Sequence, residues 1–242
     1  KHIFGKMTME IQDENGKVLT ELQAGKAKGI NVVSWNGRTR QPKMAKAKTF
    51  ARGGFTSPRV QAGTYKVVMT KGKETYETTI SIENDPNSLI TDSERIANHE
   101  TTQKLFNMSE ELAYMVYELD EIMGKAEQVS AAGGTKIADP LIAKLTSLKE
   151  TLVVTTGDNY LDSAEPELRE KMADLFAKIA QSYAAPSSSE MENLSLLEER
   201  MEAAKVTFEE IKSKHWSKVE KFLNKKEMES LSLQSYDEFM GS

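Results

Sequence analysis

Cysteine is absent from this chain of 242 residues, and histidine occurs only at His2, His99 and His215. The lack of cysteine excludes a disulfide-stabilised scaffold and a zinc–thiolate site, but it does not distinguish the cytosol from the periplasm. Three isolated histidines offer little for metal binding or a catalytic triad, so we expect no cofactor and no metal. No apolar run approaches the roughly 18 residues that a membrane span requires. Because the chain begins at Lys1 rather than Met, we expect a signal peptide or a larger upstream part to precede it.

Acidic and basic residues are unevenly distributed along the chain. Residues 1–86 contain 15 Lys and Arg against 8 Asp and Glu, whereas residues 87–242 contain 17 against 29. Glycine is also concentrated in the first part. This asymmetry is typical of two physically different modules, and we place the boundary between them near residue 86.

The first part shows the alternation of short β-strands. Met7, Met9 and Ile11 alternate with polar residues, which is the period of a half-buried strand. An Asn-Gly pair at positions 15 and 16 then supplies turn residues. The five predicted strands are 6–12, 17–22, 30–35, 63–69 and 76–82. Short strands at this spacing, with glycine-containing turns, indicate a small β-sandwich.

The second part shows helical periodicity in four stretches. Apolar residues there recur at alternating steps of three and four, which places them on one side of each helix. They are Leu105, Met108, Leu112, Met115, Leu119 and Ile122; Leu141, Leu145, Leu148 and Leu152; Leu168, Met172, Leu175 and Ile179; and Leu194, Leu197, Met201, Ala204, Phe208, Ile211 and His215. Helix boundaries are predicted at Asp92, Gly133, Pro140, Pro166 and Pro186. The pattern favours an elongated antiparallel bundle of three to four helices.

One motif connects the strand region with a known family. Residues 29–38 (GINVVSWNGR), followed by residues 62–67 (AGTYKV), resemble FlgD-type immunoglobulin-like domains, in which a tryptophan-containing strand precedes a glycine-tyrosine turn. In such a domain Trp35 would anchor the core between two sheets, and Gly63 would permit the turn before Tyr65.

The order of the modules extends this resemblance. A FlgD-like domain that ends in Asp-Pro, here Asp85 and Pro86, and runs into helices is similar to the C-terminal region of secreted bacterial BNR/Asp-box propeller proteins, often called sortilin-like or glycosyl hydrolase. No Asp-box occurs in this chain. The resemblance therefore implies a propeller upstream, and it does not carry a glycosidase activity over to these residues.

A basic stretch without intervening acids is the candidate interaction surface. Its six cations are Arg38, Arg40, Lys43, Lys46, Lys48 and Arg52. This basic stretch could bind an anionic polymer or an acidic surface. It could also be a solvated loop beside a sheet edge, or it could dock internally on the acidic helices. Nucleic acid is disfavoured because only Phe50 and Phe55 are available for stacking and the whole chain is acidic.

A polar loop after the second helical stretch offers oxygen ligands at Asp158 and Asp162. Calcium would require six to eight oxygens on a tight loop, and the spacing does not match an EF-hand, so we favour an ordinary interhelical turn. Asp162, Ser163 and Ala164 also resemble the three-residue O-glycosylation signal of some Bacteroidetes envelope proteins. Whether this loop binds an ion, and whether Ser163 is glycosylated, stays open.

Adjacent glutamates occur at 110–111, 198–199 and 209–210. Glycoside hydrolysis needs two carboxyl groups facing each other across a sugar, one of them with a raised pKa. Neighbouring residues on a helix instead point about 100° apart, so a solvated helix face is the favoured interpretation. We predict no catalytic residue.

We therefore predict two domains and a tail: a FlgD-like immunoglobulin-like β-sandwich at 1–86, an elongated antiparallel helical bundle at 87–228, and a tail at 229–242 that either docks or is disordered. The leading hypothesis is a non-catalytic adaptor or assembly module of a periplasmic, cell-envelope or secreted bacterial protein. Its partner would be the upstream propeller or another envelope protein, with a glycan or a homo-oligomer contact also possible. The alternative is a carbohydrate-binding accessory domain of a glycoside hydrolase, for which Trp35, Tyr65 and Tyr76 are the available aromatic residues.

Overall fold

The computed structural model describes residues 7–23, 25, 27–49, 55–156 and 165–241, and these fall into two compact units. The first unit is made of the described residues of Lys1–Gln41, Ser57–Gln103 and Ala180–Pro186, and the second is made of those of Pro42–Thr56, Lys104–Ile179 and Ser187–Ser242. Each unit draws on sequence from both sides of residue 86. The domain boundaries 1–86, 87–228 and 229–242 stay predictions.

A four-stranded antiparallel sheet forms the first unit's regular part. Its strands are β1 (Met7–Gln12), β2 (Val18–Leu22), β3 (Gly63–Lys71) and β4 (Glu74–Ile82), in the spatial order β2-β1-β3-β4. Four of the five predicted strands are therefore confirmed. The order of the chain, strands first and long helices afterwards, is also confirmed.

Local turn chemistry explains how β1 leads into β2. Gly16 adopts a φ of +81°, and the Oδ1 atom of Asp13 accepts hydrogen bonds from the main-chain nitrogens of Asn15 and Lys17, both at 2.9 Å. A side-chain acceptor at the start of a turn holds the chain in that reversal. The predicted Asn-Gly turn thus forms where the sequence places it.

The prediction of a strand at residues 30–35 was wrong for the described part of the chain, where this stretch belongs to no sheet. Its β-branched residues favour an extended backbone, but a strand also requires a hydrogen-bonded neighbour, which local propensity does not supply. Ile11 and Val68, on opposite faces of the sheet, are buried, whereas Trp35 is only half-buried. Trp35 packs edge-to-face on Tyr65, with ring centroids 5.9 Å apart.

Long helices follow the sheet. They are α1 (Asp92–Val129), α2 (Thr135–Leu152), α3 (Leu168–Gln181) and α4 (Ser188–Ile211), and two shorter helices are α5 (Ser217–Lys225) and α6 (Tyr236–Gly241). Five-residue π-helical segments, Ser130–Gly134 and Lys212–Trp216, connect α1 to α2 and α4 to α5.

The core of the second unit consists of the predicted apolar stripes. Every stripe residue except His215 is buried, with relative exposures between 0% and 7%. Burying each such side chain contributes about 1.5–3 kcal/mol. The alternating three-and-four spacing therefore predicted the core positions of these helices correctly.

Four of the five predicted helix boundaries agree with the structure and one disagrees. α1 begins at Asp92, and Pro166 lies two residues before the first residue of α3. Gly133 lies in the π-helical segment between α1 and α2, where its φ of +89° interrupts the helical path, and Ser187 caps α4 in a capping box with Glu190. Pro140, by contrast, lies inside α2 rather than at its boundary. The proline removes one main-chain donor, and α2 continues through it with one hydrogen bond fewer.

Candidate interaction surface

The six cations of the basic stretch do not belong to one unit. Arg38 and Arg40 lie in the first unit and the positions from Lys43 to Lys48 lie in the second, while Arg52 lies outside the described residues. The aromatic Phe50 and the polar loop at 157–164 also lie outside them.

Arg38 is tied into the first unit by its own guanidinium group. Its Nη1 atom donates to the carbonyl of Ser57, and its Nη2 atom donates to the carbonyl of Ala180 at 2.8 Å. Burial lowers the pKa of Arg38, and the neighbouring positive charge of Arg59 lowers it further. The guanidinium group of Arg38 keeps its positive charge, while its Nη1 and Nη2 atoms already donate to carbonyl oxygens.

Residues 42–49 lie against other residues of the second unit. The main-chain nitrogen of Lys43 donates to Oε1 of Glu110 at 3.1 Å, and that of Lys48 donates to the carbonyl of Val154 at 2.9 Å. Ala45 is buried, and the side chain of Lys46 is exposed. These contacts correspond to internal docking of this part of the stretch, one of the three alternatives open at the sequence level.

A buried polar cluster anchors the end of the same segment. The hydroxyl of Thr49 donates to Oε1 of Glu170 at 2.8 Å, and Nη1 of Arg169 donates to that oxygen at 2.6 Å and to the carbonyl of Thr49 at 2.9 Å. Arg169 and Glu170 are 6% and 7% exposed. A buried ion pair needs such additional hydrogen bonds to offset its desolvation.

Sequence reasoning missed an arginine–tyrosine cluster in the first unit. The guanidinium carbons of Arg59 and Arg95 lie 4.1 Å and 5.3 Å from the ring centroid of Tyr183, and Nδ1 of His99 lies 2.9 Å from the carbonyl oxygen of Arg59. They line a cavity of about 750 Å³ that acidic residues, including Asp85, also line. No local pattern brings residues 59, 95 and 183 together, because they are distant in sequence.

The adjacent glutamates take part in ion pairs on the second unit. Glu111 contacts Lys205 at 2.6 Å, Glu210 contacts Lys214 at 2.7 Å, and Glu198 contacts Lys104. Burial raises the pKa of Glu118, with the like charge of Glu209 adding to the effect. Such contacts are those of polar helix faces, and exposed pairs of this kind contribute about 0–1 kcal/mol each.

His215 lines a second cavity, of about 770 Å³, in the second unit. Burial lowers the pKa of His215, and the positive charges of Lys144, Lys218 and Lys214 lower it further. Within the described ranges, no group of three or more His, Asp or Glu side chains is placed to hold a metal ion. His215 thus lies among lysines, which disfavour a cation there.

The C-terminal residues dock on α1. Phe239 stacks on Tyr117 at a centroid distance of 4.8 Å, and Nζ of Lys43 lies 4.1 Å from the centre of the Phe239 ring. The hydroxyl of Tyr114 donates to the carbonyl of Gln234 at 2.9 Å. Of the two outcomes considered for the tail, the described residues show docking.

In the stretch at 30–35 of the first unit, the most exposed apolar residues are Ile30 and Val32, at 94% and 87% exposure. Val33 and Trp35 of the same stretch are partly buried. The side chain of Asn31 accepts from the nitrogen of Ala27 at 3.1 Å and donates to its carbonyl at 3.0 Å, which fixes the loop before the stretch. This stretch is the strongest candidate interaction surface, because exposed β-branched side chains on a backbone outside the sheet favour strand pairing.

Comparison with protein-family models, with curated proteins and with solved structures finds no match to this chain. Among the described residues, no helix combines the length and the apolar character needed to cross a membrane.

Proposed function

We propose that this chain is a non-catalytic adaptor module of a larger secreted, periplasmic or cell-envelope bacterial protein, and that its partner is an upstream propeller domain or another envelope protein. The single observation that carries the proposal is the exposure of Ile30 and Val32 in the stretch at 30–35 of the first unit. Apolar side chains that protrude side by side into water mark contact sites more often than scattered single ones do.

The adaptor proposal includes a finer description of the fold. The sheet is part of an immunoglobulin-like sandwich of the FlgD type, and the helices form an antiparallel bundle. The motif at 29–38 and the edge-to-face pair of Trp35 and Tyr65 support the first statement. The buried apolar stripes support the second, since one-sided stripes of this spacing pack against each other in bundles.

The helices contribute less to the proposed contact than the β unit does. Their stripe residues are buried in the single chain, so they need no second copy of the chain to leave water. If the helices served to assemble several copies of the chain, an apolar stripe would be exposed to solvent in the isolated chain. This comparison favours the adaptor over a homo-oligomerisation device.

The alternative, a carbohydrate-binding accessory domain, has less support. A sugar platform requires exposed rings lying flat at the surface. Trp35 and Tyr65 are half-buried, and their polar atoms donate to the carbonyls of Arg38 and Gln61, at 2.8 Å and 2.7 Å. Tyr76 is half-exposed, but it lies on β4 with its hydroxyl on Glu74.

The test is isothermal titration calorimetry between the purified chain and the proposed upstream propeller domain, produced separately. Specific binding at micromolar or lower concentration is expected. The proposal fails if the intact, folded chain does not bind that domain. Binding on a glycan array would favour the carbohydrate-binding alternative, and turnover of an aryl glycoside by the purified chain would identify a hydrolase instead.

A further inference from the structure

We propose that residues 30–35 bind an extended segment of an acidic partner protein by strand addition, with main-chain hydrogen bonds forming between the two segments. This inference deepens the adaptor function and rests on it. The occupant is a β-strand flanked by Asp or Glu, rather than a second copy of this chain.

The backbone of this stretch is available for pairing. Residues 30–35 lie outside the sheet, and the hydrogen bonds of the described residues include none from the main chain of residues 32–35. Water satisfies such groups in the free protein. A partner strand would satisfy them in a regular ladder, which is the basis of strand addition.

The stretch is also held in place on one side. Val33 and Trp35 are partly buried, and Trp35 donates from Nε1 to the carbonyl of Arg38 at 2.8 Å. The side chains of Ile30 and Val32 remain in water. Because the anchored side fixes the backbone before binding, a partner strand loses less free energy to ordering than it would on a mobile loop.

Charge identifies the partner's chemistry. No Asp or Glu occurs between Glu21 and Glu74, whereas Lys28 precedes the stretch and Arg38 and Arg40 follow it. The side chain of Lys28 is exposed. A partner with acids flanking its strand would place them near these cations, which favours both the encounter and the register.

The same charges argue against a second copy. Two antiparallel copies paired about Val33 would place Lys28 of one chain opposite Arg38 of the other. Like charges directly opposite each other destabilise a strand pair. An acidic heterologous strand is therefore the favoured occupant.

The probe is a fluorescent peptide of about ten residues that alternates threonine and valine and carries glutamates at both ends. Anisotropy is measured with the whole chain, and a peptide with lysines at the ends serves as the charge control. We expect the acidic peptide to bind at least about tenfold more tightly than the lysine peptide, and to lose affinity as salt is raised. Equal binding of the two peptides, or no binding of either, would overturn the inference.

Hydrogen exchange locates the contact. The acidic peptide should slow exchange of the amides at Val32 and Val33, and a version methylated at alternate backbone nitrogens should not bind. Ile30→Ser combined with Val32→Ser should weaken binding at least about tenfold, because these changes remove the apolar contact and leave the charge of the stretch unaltered. Leu89→Ser is the matched control, since Leu89 is 99% exposed elsewhere in the first unit. Slowed exchange at a different site, or loss of binding in the control alone, contradicts the inference.

These results separate the inference from the adaptor proposal. If the double serine variant still binds the upstream domain, the adaptor function stands and strand addition at 30–35 is wrong. If the chain binds the acidic peptide at 30–35 but not the upstream domain, the adaptor function with that partner is wrong and the strand site stands.

Discussion

Arg38 and Arg59 face each other in an isolated antiparallel bridge, and each donates a hydrogen bond to the carbonyl oxygen of Ala180 at 2.8 Å. Arg59 donates to the carbonyl of Ser182 as well, at 2.9 Å. Two cations thus meet at carbonyls in the segment Ala180–Pro186, where the negative end of a helix dipole favours positive charge. Their mutual repulsion is tolerated because both act on the same acceptor.

The first prediction concerns this pair. Arg59→Ala should lower the free energy of unfolding by about 1–2 kcal/mol, because carbonyl acceptors lose charged donors. Arg59→Lys should recover only part of this loss, since an ammonium group lacks the planar fork. Urea denaturation followed by circular dichroism measures both, with Lys73→Ala, in an exposed turn, as the control. If the Arg59→Ala protein is as stable as the control, the hydrogen bonds of Arg59 do not contribute to the free energy of unfolding.

The second prediction tests the apolar stripes. Leu145 is fully buried, whereas Leu196 is 58% exposed. Leu145→Ala should cost about 2–5 kcal/mol because it removes buried methyl groups and leaves a cavity, while Leu196→Ala should stay within about 0.5 kcal/mol of the natural chain. Thermal and urea unfolding compare the two. Similar costs at both positions would mean that the stripe does not form the core.

The third prediction concerns pH and the start of α4. Hydrogen bonds from Ser187 lower the pKa of Glu190, and Lys178 lowers it further. A carboxyl group whose pKa is lowered by folding stabilises the protein above its ordinary value, about 4.3, and loses that contribution as the pH falls through the folded pKa. Glu190→Gln should therefore lose less stability on acidification than the natural chain does.

The measurement is urea unfolding at a series of pH values from neutral to acid, with Glu192→Gln as the control, since Glu192 is exposed on the same helix. The control should keep the natural pH dependence. Ser187→Ala should in addition cost about 1 kcal/mol at neutral pH, because the cap is lost. A pH profile unchanged by Glu190→Gln would exclude this role.

The fourth prediction concerns the docked C-terminal residues. Phe239→Ala should release them from α1, because the ring contacts both Tyr117, at 4.8 Å, and Lys43, at 4.1 Å. Amide exchange at residues 234–241 should become at least about tenfold faster, which corresponds to roughly 1.4 kcal/mol of local stability. Asp237→Asn, on the exposed side of α6, should leave exchange nearly unchanged. Unchanged exchange in Phe239→Ala would mean that other contacts hold the segment.

Sequence patterns predicted the parts of this fold that depend on local order. Alternation at Met7, Met9 and Ile11 located β1, and the leucine spacing from Leu141 to Leu152 located the buried side of α2. Both signals are periodic and need no knowledge of distant residues. The expectation for residues 30–35 was wrong because a strand is defined by its neighbour and not by its own residues.

The candidate surface was harder to predict. The basic stretch is continuous in sequence, but Arg38 and Lys43 belong to different units. Arg38 and Arg59 both donate to the carbonyl oxygen of Ala180. Because every residue has a main-chain carbonyl, such an acceptor cannot be recognised from the amino-acid sequence. Exposure of Ile30 and Val32 could likewise be recognised only once the sheet's order excluded them.

The two tryptophans of the chain fall one in each unit, Trp35 beside Tyr65 in the first and Trp216 at the end of a π-helical segment in the second. Each tryptophan is partly buried, so its fluorescence emission maximum will shift to longer wavelength when unfolding exposes the ring to water. The molecule thus carries an intrinsic optical reporter for each half. With Trp216→Phe or Trp35→Phe, the unfolding of one unit can be followed while the other unit gives no tryptophan signal. Fluorescence melting of the two variants then shows whether the two units unfold at the same temperature.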